Sequence, residues 1–81
     1  MDEIRFIRLP AVMQLRGRGR ASTYTDVRAG LLTEPVELGS GSVGWPEHEI
    51  QAINRARLAG KSVQEIRDLV AALHSARKVA A

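Results

Sequence analysis

The sequence predicts a mainly α fold that carries one small β-hairpin. Three observations lead there. Two short segments with apolar sides flank an arginine–glycine stretch, "RGRGR" at 16–20. Alternating apolar residues in "PVELGSGSVGW" at 35–45 are interrupted by Gly39-Ser40-Gly41, the mark of a hairpin. Finally, Pro46 and Ser62 each open a run of apolar residues at helical spacing.

The elements follow in order. "IRFIRL" at 4–9 reads as a short strand or an extended lead-in. Pro10 suits the first turn of a helix, where its missing N–H costs nothing. Val12, Met13 and Leu15 give this helix an apolar side, and Gly17 ends it. A second short helix is expected from Gly19 to Ala29, stopped by Gly30, with Arg28 near its C-terminal dipole. Its apolar face is broken by Thr23 and Asp26, which leaves Tyr24 free to turn inward or outward. In the hairpin, Val36 and Leu38 alternate on one strand, Val43 and Trp45 on the other. Trp45 has the apolar area to close it onto the helices. Pro46 then starts a third helix with Glu47 and Glu49 in its first turn and Ile50, Ile53 and Leu58 on one side. "SVQE" at 62–65 is a capping box for a fourth helix, whose Val63, Ile66, Leu69, Val70 and Leu73 form an apolar stripe. That stripe serves either as core cover or as a dimer seam. Two short helices joined tightly and followed by a β-hairpin describe a winged helix-turn-helix, here with an extra C-terminal helix. Residues 1–60 are expected to form the winged domain. Residues 61–81 are expected to form an amphipathic helix packed on it or dimerising.

Composition narrows the function. The 81 residues amount to one small domain, with no cysteine for a disulfide, a thiolate metal site or a thiol nucleophile. The acidic opening "MDEIRFIRLP" lacks the apolar core of a secretion signal, and no apolar run is long enough to span a bilayer. A cytoplasmic protein without membrane contact is expected. Charge is unevenly placed. Residues 1–33 hold six arginines against three acids, residues 34–54 hold four glutamates and no Lys or Arg, and residues 55–81 hold six basic side chains against two acids. The basic first third suggests a polyanion partner.

Enzyme and metal motifs fail on spacing. "GKS" at 60–62 would need a glycine at 55, where Arg55 stands, and a strand before it. "HE" at 48–49 would need a second histidine at 52, which is Ala52. Two histidines with no paired carboxylate make no convincing metal site. No enzyme, cofactor or metal is expected. "RGRGR" resembles a minor-groove hook, but the helix-like residues on both sides favour a structured turn.

The pieces in sequence resemble a family, the AlpA-like phage regulatory proteins, small relatives of the MerR and excisionase winged-helix group. Members typically read "RLPEV", a glycine, "SRSTIYRLI", a glycine, "PVKLG" and "VGW". This chain has "RLPAV" at 8–12, Gly17, "GRASTYTDV" at 19–27, Gly30, "PVELG" at 35–39 and "VGW" at 43–45, without gaps from about Arg5 to Leu58. The resemblance implies a recognition helix beginning near Arg20 and set in a major groove. Arg20, Ser22, Tyr24, Thr25 and Arg28 would lie toward double-stranded DNA, and Arg16 and Arg18 would meet phosphates from the turn. Ser40 and Ser42 of the wing would contact phosphates or the minor groove. There are departures. Gly19 replaces a capping serine, Thr23 and Asp26 replace apolar residues, Thr25 replaces a basic one, Glu37 a lysine and Gly41 an arginine. They leave room for weak DNA binding, for help from a second subunit, or for a frayed or shifted recognition helix.

The function implied is a sequence-specific DNA-binding regulator of transcription of phage or prophage type. Two alternatives stand beside it. One is an excisionase, a DNA-bending accessory of a phage integrase. The other is a protein-interaction module that has lost DNA binding, for which Asp26, Glu34, Glu37 and the missing wing arginine argue. Partners beyond DNA would be a second copy through the last helix, an integrase, or RNA polymerase.

Overall fold

A computed structural model describes residues 3–79. The expected segment ends, 1–2 and 80–81, lie outside the described residues. The elements are β1 (Phe6–Ile7), α1 (Leu9–Arg16), α2 (Arg20–Arg28), β2 (Val36–Gly39), β3 (Ser42–Pro46), α3 (Glu47–Leu58) and α4 (Val63–Val79). This is a winged helix with a fourth helix added. No helix among the described residues is long and apolar enough to cross a membrane.

The lead-in resolves as a strand. β1 pairs antiparallel with β3 (Phe6 opposite Pro46, Ile7 opposite Trp45), so the hairpin becomes a three-stranded sheet of order β1-β3-β2. That third strand gives β3 partners on both sides, which a lone hairpin lacks. Crowding follows at Gly44, in the middle of β3. A Cβ there would stand 2.8 Å from Leu38 Cδ1 and 3.0 Å from the Ile7 carbonyl oxygen, so glycine is required by space rather than by backbone angle. Pro46 corrects a detail of the sequence reading. It is the last residue of β3 and the N-cap of α3, not its first helical residue. The first α3 amide, that of Glu47, donates instead to the Arg5 carbonyl at 2.7 Å, which ties helix to strand.

The core gathers Val12 of α1, Leu32, Trp45, Ile50 and Ile53 of α3, and Ile66 and Val70 of α4. Trp45 is fully buried, as its area led one to expect, and its indole N–H donates to the Thr33 carbonyl at 2.8 Å. A buried indole without that acceptor would cost about 1–3 kcal/mol.

Helix α4 contributes Ile66 and Val70 to that core. The capping box forms as read. The Glu65 amide donates to Ser62 Oγ at 3.1 Å, and the Ser62 amide donates to Glu65 Oε1 at 2.9 Å. That second bond, with the Ser62 hydroxyl, lowers the Glu65 pKa below its ordinary value. Further along, Arg77 does more than complement the helix dipole. Its Nε and Nη2 donate to Glu49 Oε2 and Oε1 at 2.9 and 2.6 Å, and Nη2 donates also to the Glu34 carbonyl at 2.7 Å. Glu49 is only 1% exposed. His74 accepts the Glu34 amide at 3.0 Å through Nε2, and Arg67 donates to the Ala29 carbonyl at 3.0 Å. Three polar ties therefore run along one helix, beside its apolar stripe.

Candidate nucleic-acid interface

The geometry of the turn is set by Gly17. It takes φ 69°, a left-handed conformation that glycine adopts without Cβ strain. The amides of Gly17 and Arg18 both donate to the Met13 carbonyl, closing α1. Asn54 of α3 donates to the Leu15 carbonyl at 2.9 Å and holds the end of α1 from the other side. The chain then crosses Arg18 and Gly19 into α2, which is intact from Arg20 to Arg28. The frayed or shifted helix that the departures allowed is not what forms. The predicted loss of a side-chain cap at Gly19 is real, since no side chain caps that end.

What holds α2 is a buried polar cluster. Thr23 and Asp26, read from the sequence as poor core residues, are both buried. Arg16 is turned in to meet them. Its Nη1 donates to Thr23 Oγ1 at 3.1 Å, and its Nη2 forms a short charge-assisted hydrogen bond to Asp26 Oδ2. The Thr23 hydroxyl donates onward to the Gly19 carbonyl at 2.8 Å. The Arg16 side chain is 1% exposed. It therefore does not stand at the surface to meet phosphates, and that expectation is corrected. A buried carboxylate needs a cation, and Arg16 is spent on it. The positions that broke the apolar face of α2 are thus its inward face, with an ion pair in place of leucines.

The outward face follows from helix geometry. With Thr23 and Asp26 inside, 3.6 residues per turn put Ala21, Thr25 and Arg28 on the opposite side, and all three are exposed. Arg28 Nη2 donates to Thr25 Oγ1 at 3.3 Å, so the two share one patch. Arg20 is exposed at the N-terminal edge, with its guanidinium carbon 5.7 Å from the centroid of the Tyr24 ring. Tyr24 is half-buried. Its ring leans on Trp45 at 6.1 Å between centroids, with planes at 57°, so it joins the core edge while Arg20 covers it. Ser22 is half-buried on the other flank. Ala21 belongs to the face but escaped the sequence reading. The signal that would have found it is the spacing of Thr23 and Asp26, once these are taken as inward.

The wing turn carries Ser40, exposed, and Ser42, half-buried at the start of β3. Glu37 is exposed on β2. Arg18 is partly exposed, its Nε 3.4 Å from Asp26 Oδ2.

Comparison with known proteins agrees with this architecture. The family model for the prophage CP4-57 regulatory protein (AlpA) matches residues 5–58. An uncharacterized protein, ORF88, of Enterobacteria phage P4 is 39% identical over 57 residues, which cover 70% of this chain. The match spans 65% of that relative's length. No solved structure matches the chain significantly. With more than half its length under one family model, and the winged helix those residues build, the chain belongs to the AlpA family of prophage regulatory proteins.

Proposed function

We propose that this protein binds double-stranded DNA as a transcriptional regulator, with α2 laid in a major groove. One observation carries the reading. The exposed stripe Ala21, Thr25 and Arg28 stands on a helix whose opposite face is bolted to α1 by Arg16, so polar and small side chains are presented on a rigid rod. Such a rod can enter a groove about 12 Å wide, with Arg able to reach guanine edges and the Ala methyl able to contact thymine. Arg18 and Arg20 at its N-terminal end supply phosphate contacts, and Ser40 and Ser42 supply them from the wing. Tyr24 and Ser22 flank the contact.

The lost-binding alternative weakens on the same geometry. Asp26, which argued for it, points inward and is neutralised there. The test is a titration of the upstream DNA of its own gene at two salt concentrations, with Arg18, Arg20 and Arg28 each changed to alanine. A phosphate-contacting arginine lowers the log–log salt slope by about one. Unchanged affinity in all three variants would sink the reading. The same docking would serve an excisionase, and an excision assay with the neighbouring integrase separates the two roles.

A further inference from the structure

Asp26 Oδ2 is a crowded atom. Besides its hydrogen bond from Arg16, it has Arg18 Nε at 3.4 Å and Arg57 Nη2 at 3.8 Å. One negative charge therefore faces three guanidinium groups. Arg16 is consumed by the carboxylate and Thr23. The other two differ from it in kind. Their side chains are 44% and 36% exposed, and neither makes a hydrogen bond to that oxygen. Their nitrogens converge on one point from two different elements, the α1–α2 turn and the last turn of α3. They lie no further apart than those two distances laid end to end. The result is a rim of uncompensated positive charge with free N–H donors, held in place by a buried pair. An oxyanion with several acceptor oxygens fits such a rim, because guanidinium groups bind phosphate in forked pairs.

We propose that Arg57, together with Arg18, forms a clamp for a backbone phosphate of duplex DNA, with the Asp26–Arg16 pair as its anchor. The clamp rests on the DNA-binding reading above and extends it to α3, outside the helix-turn-helix. An ordinary role for Arg57 as a cation at a helix C-terminus explains its position in sequence but not its reach to Asp26. Arg55 separates the two. It is exposed in the same last turn and makes no ion pair among the described residues, and residues two apart on a helix do not share a face.

The experiment is fluorescence anisotropy across a salt series on two short duplexes, the gene's own upstream DNA and a random sequence. The proteins are the full chain, Arg57→Ala, Arg57→Lys and Arg55→Ala. Arg57→Ala is expected to lower the salt slope by about one and to weaken binding by the same factor on both duplexes, since phosphate contacts carry no sequence information. Arg57→Lys should recover the slope but not the full affinity, having lost the fork. Arg55→Ala should keep the parent slope. In the unaltered chain, the Nε–Hε NMR signals of Arg18 and Arg57 should shift on adding duplex while that of Arg16 stays put, a readout that no misfolded variant can confound. Tight, salt-dependent binding by the parent with an unchanged slope in Arg57→Ala, or with a still Arg57 signal, overturns the clamp alone. Failure of the parent to bind either duplex at low salt overturns the DNA reading and the clamp with it.

Discussion

Two buried carboxylates, Glu49 and Asp26, are each met by an arginine, and they end up in opposite situations. Glu49 takes a two-pronged bond from Arg77, which also reaches the Glu34 carbonyl, and the charges cancel one to one. Asp26 takes one short bond from Arg16 and attracts two further arginines that stay half in solvent. The first site is closed and joins α4 to α3. The second is overcharged and open on one side. The difference teaches how to tell a fastening from a binding place. What matters is whether the positive charge is used up, not whether a carboxylate is buried.

The comparison can be strained by experiment. The largest effects should come from halving either pair. Arg77→Ala leaves the buried Glu49 carboxylate without its partner and should destabilise the fold by about 3–5 kcal/mol, whereas Arg16→Ala should cost less because Arg18 and Arg57 still face Asp26, both read from urea unfolding midpoints at constant m. A smaller effect is expected from replacing both members at once. Arg16→Met combined with Asp26→Leu should fall within about 1–2 kcal/mol of the parent or exceed it, because apolar substitutes of similar volume escape the desolvation penalty. If the open site is for an anion, that double variant should still bind DNA less tightly than the parent, since Arg18 and Arg57 lose their anchor. Full affinity in the double variant would reduce the cluster to a fastening like its counterpart. The smallest effect concerns the cap of α4. The folded Glu65 pKa lies below its unfolded value, so its contribution is present above the ordinary carboxylate range and fades as pH falls through the folded value. Glu65→Gln should therefore show a slightly lower Tm at neutral pH and a shallower drop in Tm below about pH 4.5.

Much of this was legible in the residues. The order of elements, the hairpin, the turn at Gly17 and the capping box could all be read because each depends on neighbours within a few positions. The roles of the arginines were not legible in the same way. A guanidinium answers a phosphate and a buried carboxylate equally well, so Arg16 looked like its neighbour Arg18 until the fold showed which one had turned inward. Thr23 and Asp26 misled for the matching reason. Polar residues on a helix read as outward unless their partner, seven or ten positions earlier, is known to arrive. Arg77 stands where a cation suits its own helix dipole, and nothing local in the sequence marks its long-range bond to Glu49.

Helix α4 has one further consequence. The family match ends at residue 58, yet Ile66 and Val70 beyond it belong, among the described residues, to the buried apolar cluster of seven side chains. Cutting the chain at Gly60 would strip the roof from Ile50 and Ile53 and turn Glu49 loose against greasy neighbours. The smallest self-supporting piece is therefore expected to reach past the end of the family match, and a version trimmed at Gly60 should aggregate on purification.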